Sequence, residues 1–322
     1  MNGARDERWG NVQRSRMRTV LLAGSSHPAL AQEISAELQL PLGRCTIERF
    51  PDGELDIQLE ENVRGAEVFV VQSLNAPAGE NLLELALMSD ACQRLGAASV
   101  TAVIPYLGYA RHDRRVSGIE PLGARVVAEL IAAGRVDRVI CLDLHSRAVE
   151  GCFPKPVEHA DAVPLLIEHL RATLTLPAVV ISPDLGAVKR AESFARPLGL
   201  PVAIVHKQRL TGAEVKALGV VGDVAGRYAI VVDDMISTGG TLVAAVKTVL
   251  EHGAKAPVTV VASHGLFAGP AQERLAALPL ARVVVTDSVP FHGKALFPLE
   301  IVRSAPALAD VIRRLVASSS GA

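Results

Sequence analysis

Cysteine is scarce in this 322-residue chain, and none of the four, Cys45, Cys92, Cys141 and Cys152, falls in a C-x-x-C pair. That spacing argues against a zinc site or a disulfide framework. Cys92 and Cys141 sit inside apolar segments and read as small core residues of a protein in a reducing compartment. Charge of one sign is also missing: 33 Lys and Arg face 34 Asp and Glu, for a net charge of -1. A general nucleic-acid binder would carry a basic excess, so none is expected as a partner, although a local cationic pocket remains open. No apolar run approaches the roughly 18 residues that a membrane span needs. Aromatic residues are few, with seven Phe, three Tyr and one Trp, the last at Trp9 in the leading segment. Residues 1–17 mix Arg with Asp and Glu and contain no apolar stretch, so they read as a flexible extension and not a secretory signal. A soluble, cytoplasmic protein with no membrane partner is expected.

What is present is apolar and regularly spaced. The chain is about twice the length of a typical domain of roughly 150 residues, and 49% of it is apolar against 21% charged. Short β-branched runs recur at Thr19–Ala23, Val68–Gln72, Val100–Pro105, Val139–Leu144, Val179–Ser182, Val202–His206, Ala229–Asp233, Val258–Ala262 and Val283–Thr286. Segments of helical period lie between them, at Ala29–Leu38, Asn81–Arg94, Leu122–Ala133, Val163–Arg171, Leu242–Glu251 and Ala307–Val316. Continuous apolar strands alternating with helices imply mostly parallel sheets covered on both faces, an α/β fold. A weak internal echo divides the chain: Gly96-Ala97 leads into Val100-Thr101-Ala102-Val103, and Gly253-Ala254 into Val258-Thr259-Val260-Val261. Arg138-Val139-Ile140 and Arg282-Val283-Val284 continue the echo, with about 13 extra residues in the first half, assigned to the polar stretch Arg111 to Gly123. Pro154 and Pro156 mark a boundary near 155–165.

The strongest chemical signal runs from Ala229 to Thr241. A buried strand ends in Asp233 and Asp234, and Ser237-Thr238-Gly239-Gly240-Thr241 then turns into a helix. Glycines let backbone N–H groups close around an anion, and the helix N-terminus adds about half a positive charge. Paired acids beside a phosphate cradle suit sugar hydroxyls, directly or through a divalent ion. The bland reading is an ordinary strand–turn–helix joint with a capping Thr. Other polar clusters leave strand ends: Arg49-Phe50-Pro51-Asp52-Gly53-Glu54, Tyr106 through Arg115, Asp143-Leu144-His145, Ser182-Pro183-Asp184 and Lys207-Gln208-Arg209. Taken singly, each has a bland reading: His145 satisfying backbone groups, Arg111–Arg115 a solvated turn, and Lys207 and Arg209 ordinary charges leaving the sheet. Convergence at strand C-terminal ends, where α/β sheets bind ligands, favours one site.

The segment 229–241 resembles the phosphoribosyl-diphosphate signature of the phosphoribosyltransferase fold. All the clusters, in this order over residues 18–316, resemble the ribose-phosphate diphosphokinase (phosphoribosyl diphosphate synthetase) family. The resemblance implies two phosphoribosyltransferase-like domains, 18–160 and 161–316, each a mostly parallel sheet flanked by helices. It implies transfer of the diphosphoryl group of ATP to the 1-hydroxyl of ribose 5-phosphate, releasing AMP, with Mg2+ as cofactor. By the same resemblance Phe50 stacks on adenine, Asp52, Gly53 and Glu54 receive ATP from a neighbouring subunit, and Arg111, His112 and Asp113 contact it. His145 and Asp184 match metal-linked positions, and Lys207 and Arg209 the catalytic basic pair. Arg209, Asp233, Asp234, Ser237, Thr238, Gly239, Gly240 and Thr241 match the ribose 5-phosphate site. Family members form homo-oligomers built from dimers, commonly hexamers.

The chain departs from the family pattern beside these positions. Leu185-Gly186-Ala187 stands where His-Gly-Gly is usual, His206 where Asp is common, Gln208 for Arg and Ser237 for Asp, and Val116–Ile119 lacks the usual basic residues. These changes bear on regulation, rate and choice of phosphoryl donor. Two other functions fit parts of the pattern. A phosphoribosyltransferase would lack the Phe50–Glu54 and Tyr106–Asp113 motifs and usually has one domain. A non-catalytic regulatory homologue would fit the altered neighbours but not the intact Lys207, Arg209, His145 and Asp233.

Overall fold

The computed structural model describes residues 17–115, 118–209 and 215–319, with the backbone path but not the side chains of 207–209, 215–218 and 319. The order of elements repeats. The first half runs β1 (Thr19–Ala23), α1 (Pro28–Leu38), β2 (Cys45–Arg49), β3 (Leu55–Leu59), β4 (Glu67–Val71), α2 (Ala78–Arg94), β5 (Ser99–Ile104), α3 (Gly123–Ala133), β6 (Arg138–Leu142), β7 (Val157–Ala160) and α4 (Val163–Arg171). The second runs β8 (Ala178–Ser182), α5 (Val188–Leu198), β9 (Val202–Arg209), β10 (Val215–Val221), β11 (Tyr228–Ile236), α6 (Gly240–Glu251), β12 (Lys255–Gly265), α7 (Ala271–Ala276), β13 (Leu280–Thr286), β14 (Leu299–Val302) and α8 (Ala305–Ser319). Among the described residues the 3-10 turn Arg147–Cys152 has no counterpart in the second half.

Each half builds a sheet. The first is β1-β4-β5-β6-β7, parallel throughout. The second is β10-β9-β8-β11-β12-β13-β14, parallel except where β10 turns back on β9. All nine apolar runs of the sequence are strands of these sheets, because a strand covered on both faces must be apolar throughout. β4 is buried at every residue, as is β8. Cys92 and Cys141 lie wholly inside the core, and burial pushes both thiols up to about 12, so neither is a nucleophile or a thiolate ligand at neutral pH.

The halves interlock. α4 leaves the first sheet and packs on β12, β13 and β14, while α8 leaves the second and packs on α1, β6 and β7. One apolar core therefore includes Leu21 and Ile34 of the first half with Phe194, Val284 and Leu308 of the second. This exchange fixes the carboxyl ends of the two sheets against each other, and that junction holds the candidate site.

Candidate active site

The signature segment folds as a strand, a turn and a helix. β11 is buried up to Val232, then presents Asp233, half-buried, and Asp234, buried. The chain turns through Ser237 and Thr238, and Gly239 takes φ +75°, a left-handed conformation that glycine adopts without a Cβ clash. Two bonds anchor the turn through its carbonyls: Ala268 N–H donates to Ser237 at 2.9 Å and Arg274 Nη1 to Thr238 at 2.9 Å. The N–H groups at the start of α6 stay available to an anion, as at other helix N-termini.

The two acids differ sharply. Burial, followed by the adjacent Asp234 and then Asp184 carboxylates, pushes Asp233 well above the usual carboxyl range. Burial also opposes ionisation of Asp234, but the hydrogen bond and charge of His145 outweigh it and hold the group down to about 2. His145 stands at the end of β6, in the other half, and its Nδ1 donates to Asp234 Oδ2 at 2.6 Å. That bond is the main reason the imidazole is shifted up. Two residues assigned to different ligands from sequence thus form one pair 89 positions apart. A carboxylate on Nδ1 fixes the ring and aims Nε2, the arrangement that metal-ligating histidines use.

Beside this pair runs a polar seam that sequence reasoning missed. Asp143 sits at φ +40°, uncommon for a residue with a Cβ. Its Oδ2 accepts from Ser263 Oγ and lies 3.6 Å from Arg190 Nη1, which itself donates to Ser263 Oγ at 3.1 Å. The Asp143 carbonyl accepts from His264 Nε2 at 3.1 Å, so His264 Nδ1 accepts from Ser288 Oγ at 2.7 Å. Tyr106 meets the His264 ring edge-on, with centroids 5.1 Å apart. Only the apolar patterning flanking Ser263 and His264 hinted at burial; nothing in sequence linked them to Asp143.

Asp184 caps the following loop, its Oδ1 accepting from Gly186 N–H at 3.0 Å and Ala187 N–H at 3.1 Å. Backbone groups suffice for this cap, so Leu185-Gly186-Ala187 preserves it, and the Leu185 side chain is exposed. Arg111 and His112 are exposed and Asp113 half-buried on the loop after β5. The charges of Asp113 and Arg111 act on His145, and Ala124 N–H ties the loop to α3 through the His112 carbonyl at 3.1 Å. Lys207 and Arg209 lie opposite Ala217 and Val215 in the β9–β10 hairpin, but their side chains are outside the described residues, as are Val116 and Ser117.

Phe50, Asp52, Gly53 and Glu54 stand apart. They form the tip of the β2–β3 hairpin, where Phe50 is 49% exposed and Gly53 takes φ +93°. Arg49 donates to the Gly53 carbonyl at 2.9 Å and pairs with Glu80 of α2, which holds the tip against its own half. Within one chain, the described bonds of this tip do not join it to His145 or Asp234.

Comparison with known proteins places this geometry. Residues 19–134 match the family described as the N-terminal domain of ribose phosphate pyrophosphokinase, and residues 209–321 match the phosphoribosyl synthetase-associated domain. A ribose-phosphate pyrophosphokinase of Parasynechococcus marenigrum is 43% identical over 303 residues, 93% of this chain and 91% of that protein. The chain belongs to the ribose-phosphate pyrophosphokinase family. The family's enzyme from Aquifex aeolicus is 41% identical over 93% of this chain and 96% of its own length. A crystal structure of phosphoribosylpyrophosphate synthetase from Mycobacterium smegmatis superposes with a TM-score of 0.87 at 39% identity, over 94% of this chain and 99% of that one. The agreement spans both sheets, so the ribose-phosphate pyrophosphokinase fold includes the interlocked pair described above. Among the described residues no helix is long and apolar enough to cross a membrane.

Proposed function

We propose that the chain transfers the β,γ-diphosphoryl group of ATP to the 1-hydroxyl of ribose 5-phosphate, producing phosphoribosyl diphosphate and AMP. The observation that carries this reading is the Asp233–Asp234 strand end, followed by an open glycine turn and joined to His145 across the two halves. The turn Ser237–Thr241 receives the 5-phosphate through backbone N–H groups and hydroxyls. Asp233 and Asp234 take the ribose hydroxyls, and the 1-hydroxyl is thereby aimed at the β-phosphorus. Attack there builds negative charge on the transferred oxygens and on departing AMP, so positioning and positive charge matter more than covalent help. Lys207, Arg209 and Arg111 supply that charge. Phe50, Asp52, Gly53 and Glu54 project from their hairpin to hold adenine and its nucleotide for an adjoining subunit, which makes a dimer-based homo-oligomer the working unit. Arg111, His112 and Asp113 hold ATP on the near side.

Among the described residues no three His, Cys, Asp or Glu side chains close into a ready-made metal site. The donors nonetheless fit Mg2+, which favours oxygen and is usually held by one or two carboxylates plus substrate phosphates. Asp233 is pushed up first by burial and then by the neighbouring Asp234 and Asp184 carboxylates, and a cation would relieve that repulsion. Asp184 and the Nε2 face of His145 would hold it. Bound there, Mg2+ would supply positive charge to offset that of the phosphate oxygens. We place the reaction in the cytoplasm.

The test mixes the purified chain with ATP, Mg2+ and ribose 5-phosphate and quantifies AMP and phosphoribosyl diphosphate. Equal amounts of both, dependent on the sugar phosphate, are expected. Ribose 5-phosphate binding with no product would replace this reading with that of a regulatory homologue.

A further inference from the structure

The second sheet has a cavity at the end of its strands remote from the active site. It occupies about 360 Å³ at the start of β11, β12 and β13, between Tyr228, Pro257, Thr259, Ala281, Arg282 and Glu300. Arg282 lies along its wall with its side chain 14% exposed, and its Nε–H is buried without a partner. Burying a guanidinium donor unpaired is costly, so such a group marks a place where something else completes the bond.

The internal repeat supplies a control. In the first half Arg138 and Glu158 hold the positions that Arg282 and Glu300 hold in the second: Val139 pairs with Val157 as Val283 pairs with Leu299, each one residue on from the arginine and one before the glutamate. Arg138 and Glu158 form a direct, close ion pair. Arg282 and Glu300 are drawn apart to 3.9 Å. Glu300 instead takes His169 Nε2 at 2.7 Å on its other oxygen, and Arg282 Nη2 donates to the Thr173 carbonyl at 3.2 Å. One carboxylate, Glu300, is therefore shared between Arg282 and His169, and the Arg282 Nε–H is left unpartnered. Tyr228, which lines the cavity, carries Lys255 Nζ 5.4 Å from its ring centroid. The remaining wall is hydroxyl or apolar.

From this geometry we infer a binding site for a small organic anion, with its carboxylate or phosphate group on the Arg282 edge and a short apolar body against Tyr228 and Pro257. Guanidinium presents paired donors to such oxyanions, and the volume fits a ligand of modest size. Because β11 carries the cavity at Tyr228 and the acids at Asp233 and Asp234, the site is separate from the ribose 5-phosphate cradle yet shares a strand with it.

The test follows the fluorine NMR line of para-fluorobenzoate added to the full chain. This probe has an oxyanion and a flat apolar body. The line is expected to broaden, and the broadening to fall on adding inorganic phosphate, which competes for the Arg282 edge. Arg282→Gln should weaken binding by about tenfold or more. Glu300→Gln, which removes the competing carboxylate, should strengthen it. Unchanged turnover with ATP and ribose 5-phosphate in both variants shows that they fold, and Arg282→Lys should retain part of the binding. No broadening with the wild-type chain, or broadening indifferent to Arg282→Gln, overturns the proposal. Broadening that only ribose 5-phosphate abolishes also overturns it, since the probe then occupies the active site.

Discussion

The two halves use one sequence of elements to opposite ends at the strand that leads into the second helix. Phe69 pairs with Thr101 as Ile230 pairs with Thr259, so Gln72 and Ser73 of the first half stand where Asp233 and Asp234 stand in the second. Gln72 is fully buried and every arm of it is bonded. Its Oε1 accepts from Ser26 N–H at 3.1 Å and Ser26 Oγ at 2.7 Å, while its Nε2 donates to Glu84 Oε1 at 2.9 Å. Ser25 closes the rest of the Glu84 carboxylate, and Ser73 Oγ donates to the Ser288 carbonyl at 2.8 Å. A Cβ on Gly24 would lie 2.3 Å from Gln72 Oε1, so there is no room for a ligand. The second half does the reverse. Two carboxylates are left side by side, with one histidine bonded to Asp234 alone, and the turn beyond is open at its N–H groups. A duplicated fold thus differs at its two strand ends: one is saturated by its own side chains, while the other keeps paired carboxylates beside an open turn, the place proposed for binding.

The widest gap between the two ends should appear in turnover. Asp234→Asn keeps the shape but removes the charge that orients His145, and kcat should drop by about two to three orders of magnitude, the scale of losing a preorganised electrostatic contact. Steady-state production of AMP reads this directly, and a drop below tenfold would separate Asp234 from the chemistry. Gln72→Glu makes the converse exchange, placing an acid at the matching position of the first half. There it meets Glu84 inside the core, and the chain should lose about 3 kcal/mol of stability in urea unfolding, as for other unpaired buried charges. Ribose 5-phosphate binding should gain no second site. An unchanged unfolding midpoint would mean that the first half is not sealed as described.

Glycine sharpens the contrast on a smaller scale. Gly239→Ala forces a Cβ onto φ +75° and should cost about 1–2 kcal/mol, with the KM for ribose 5-phosphate raised because the turn shifts. Gly79→Ala, in the first turn of α2, meets nothing within 4 Å and has no left-handed φ, so it should be neutral or stabilise the chain by about 0.4–1 kcal/mol. Thermal unfolding and KM measured on the two variants test the pair together.

How much of this was legible in sequence follows from what each part depends on. Central strands announce themselves because both faces are apolar. β2, β3, β7, β10 and β14 did not, since they are short or lie at sheet edges or in a separate hairpin, where the composition is mixed. α5 escaped because it is strongly polar on one side and contains Pro197, and α7 because it is only six residues long. Within the site, Asp233 to Thr241 is contiguous and could be read directly. The His145–Asp234 bond and the Asp143–Ser263–His264 seam join residues about 90–120 positions apart. No periodicity records such pairings; they exist only because α4 and α8 exchange sheets and press the two carboxyl ends together.

The histidines at that junction give the smallest and most discriminating prediction. Burial lowers His264 below the ordinary histidine value of 6.5, and it lowers His27, whose Nε2 donates to the Asp287 carbonyl at 2.7 Å, in the same direction. A group lowered in the folded state binds fewer protons there than in the unfolded chain, so its contribution is complete above about pH 6.5 and is lost as pH falls towards the folded value. His145 has the opposite sign: raised by Asp234, it contributes fully below about 6.5 and loses that contribution as pH rises through its folded value. Acidification from neutral pH should therefore loosen the seam while leaving the His145–Asp234 pair intact. His264→Gln keeps a donor for the Asp143 carbonyl and an acceptor for Ser288 but cannot take up a proton. Its unfolding midpoint should fall less than that of the wild-type chain between pH 7 and pH 5, whereas His145→Gln should steepen the fall. If His264→Gln leaves the pH dependence unaltered, the junction is held by the apolar core that α1 and α8 share, and the polar seam serves only to aim Asp143 and the His145 that follows it.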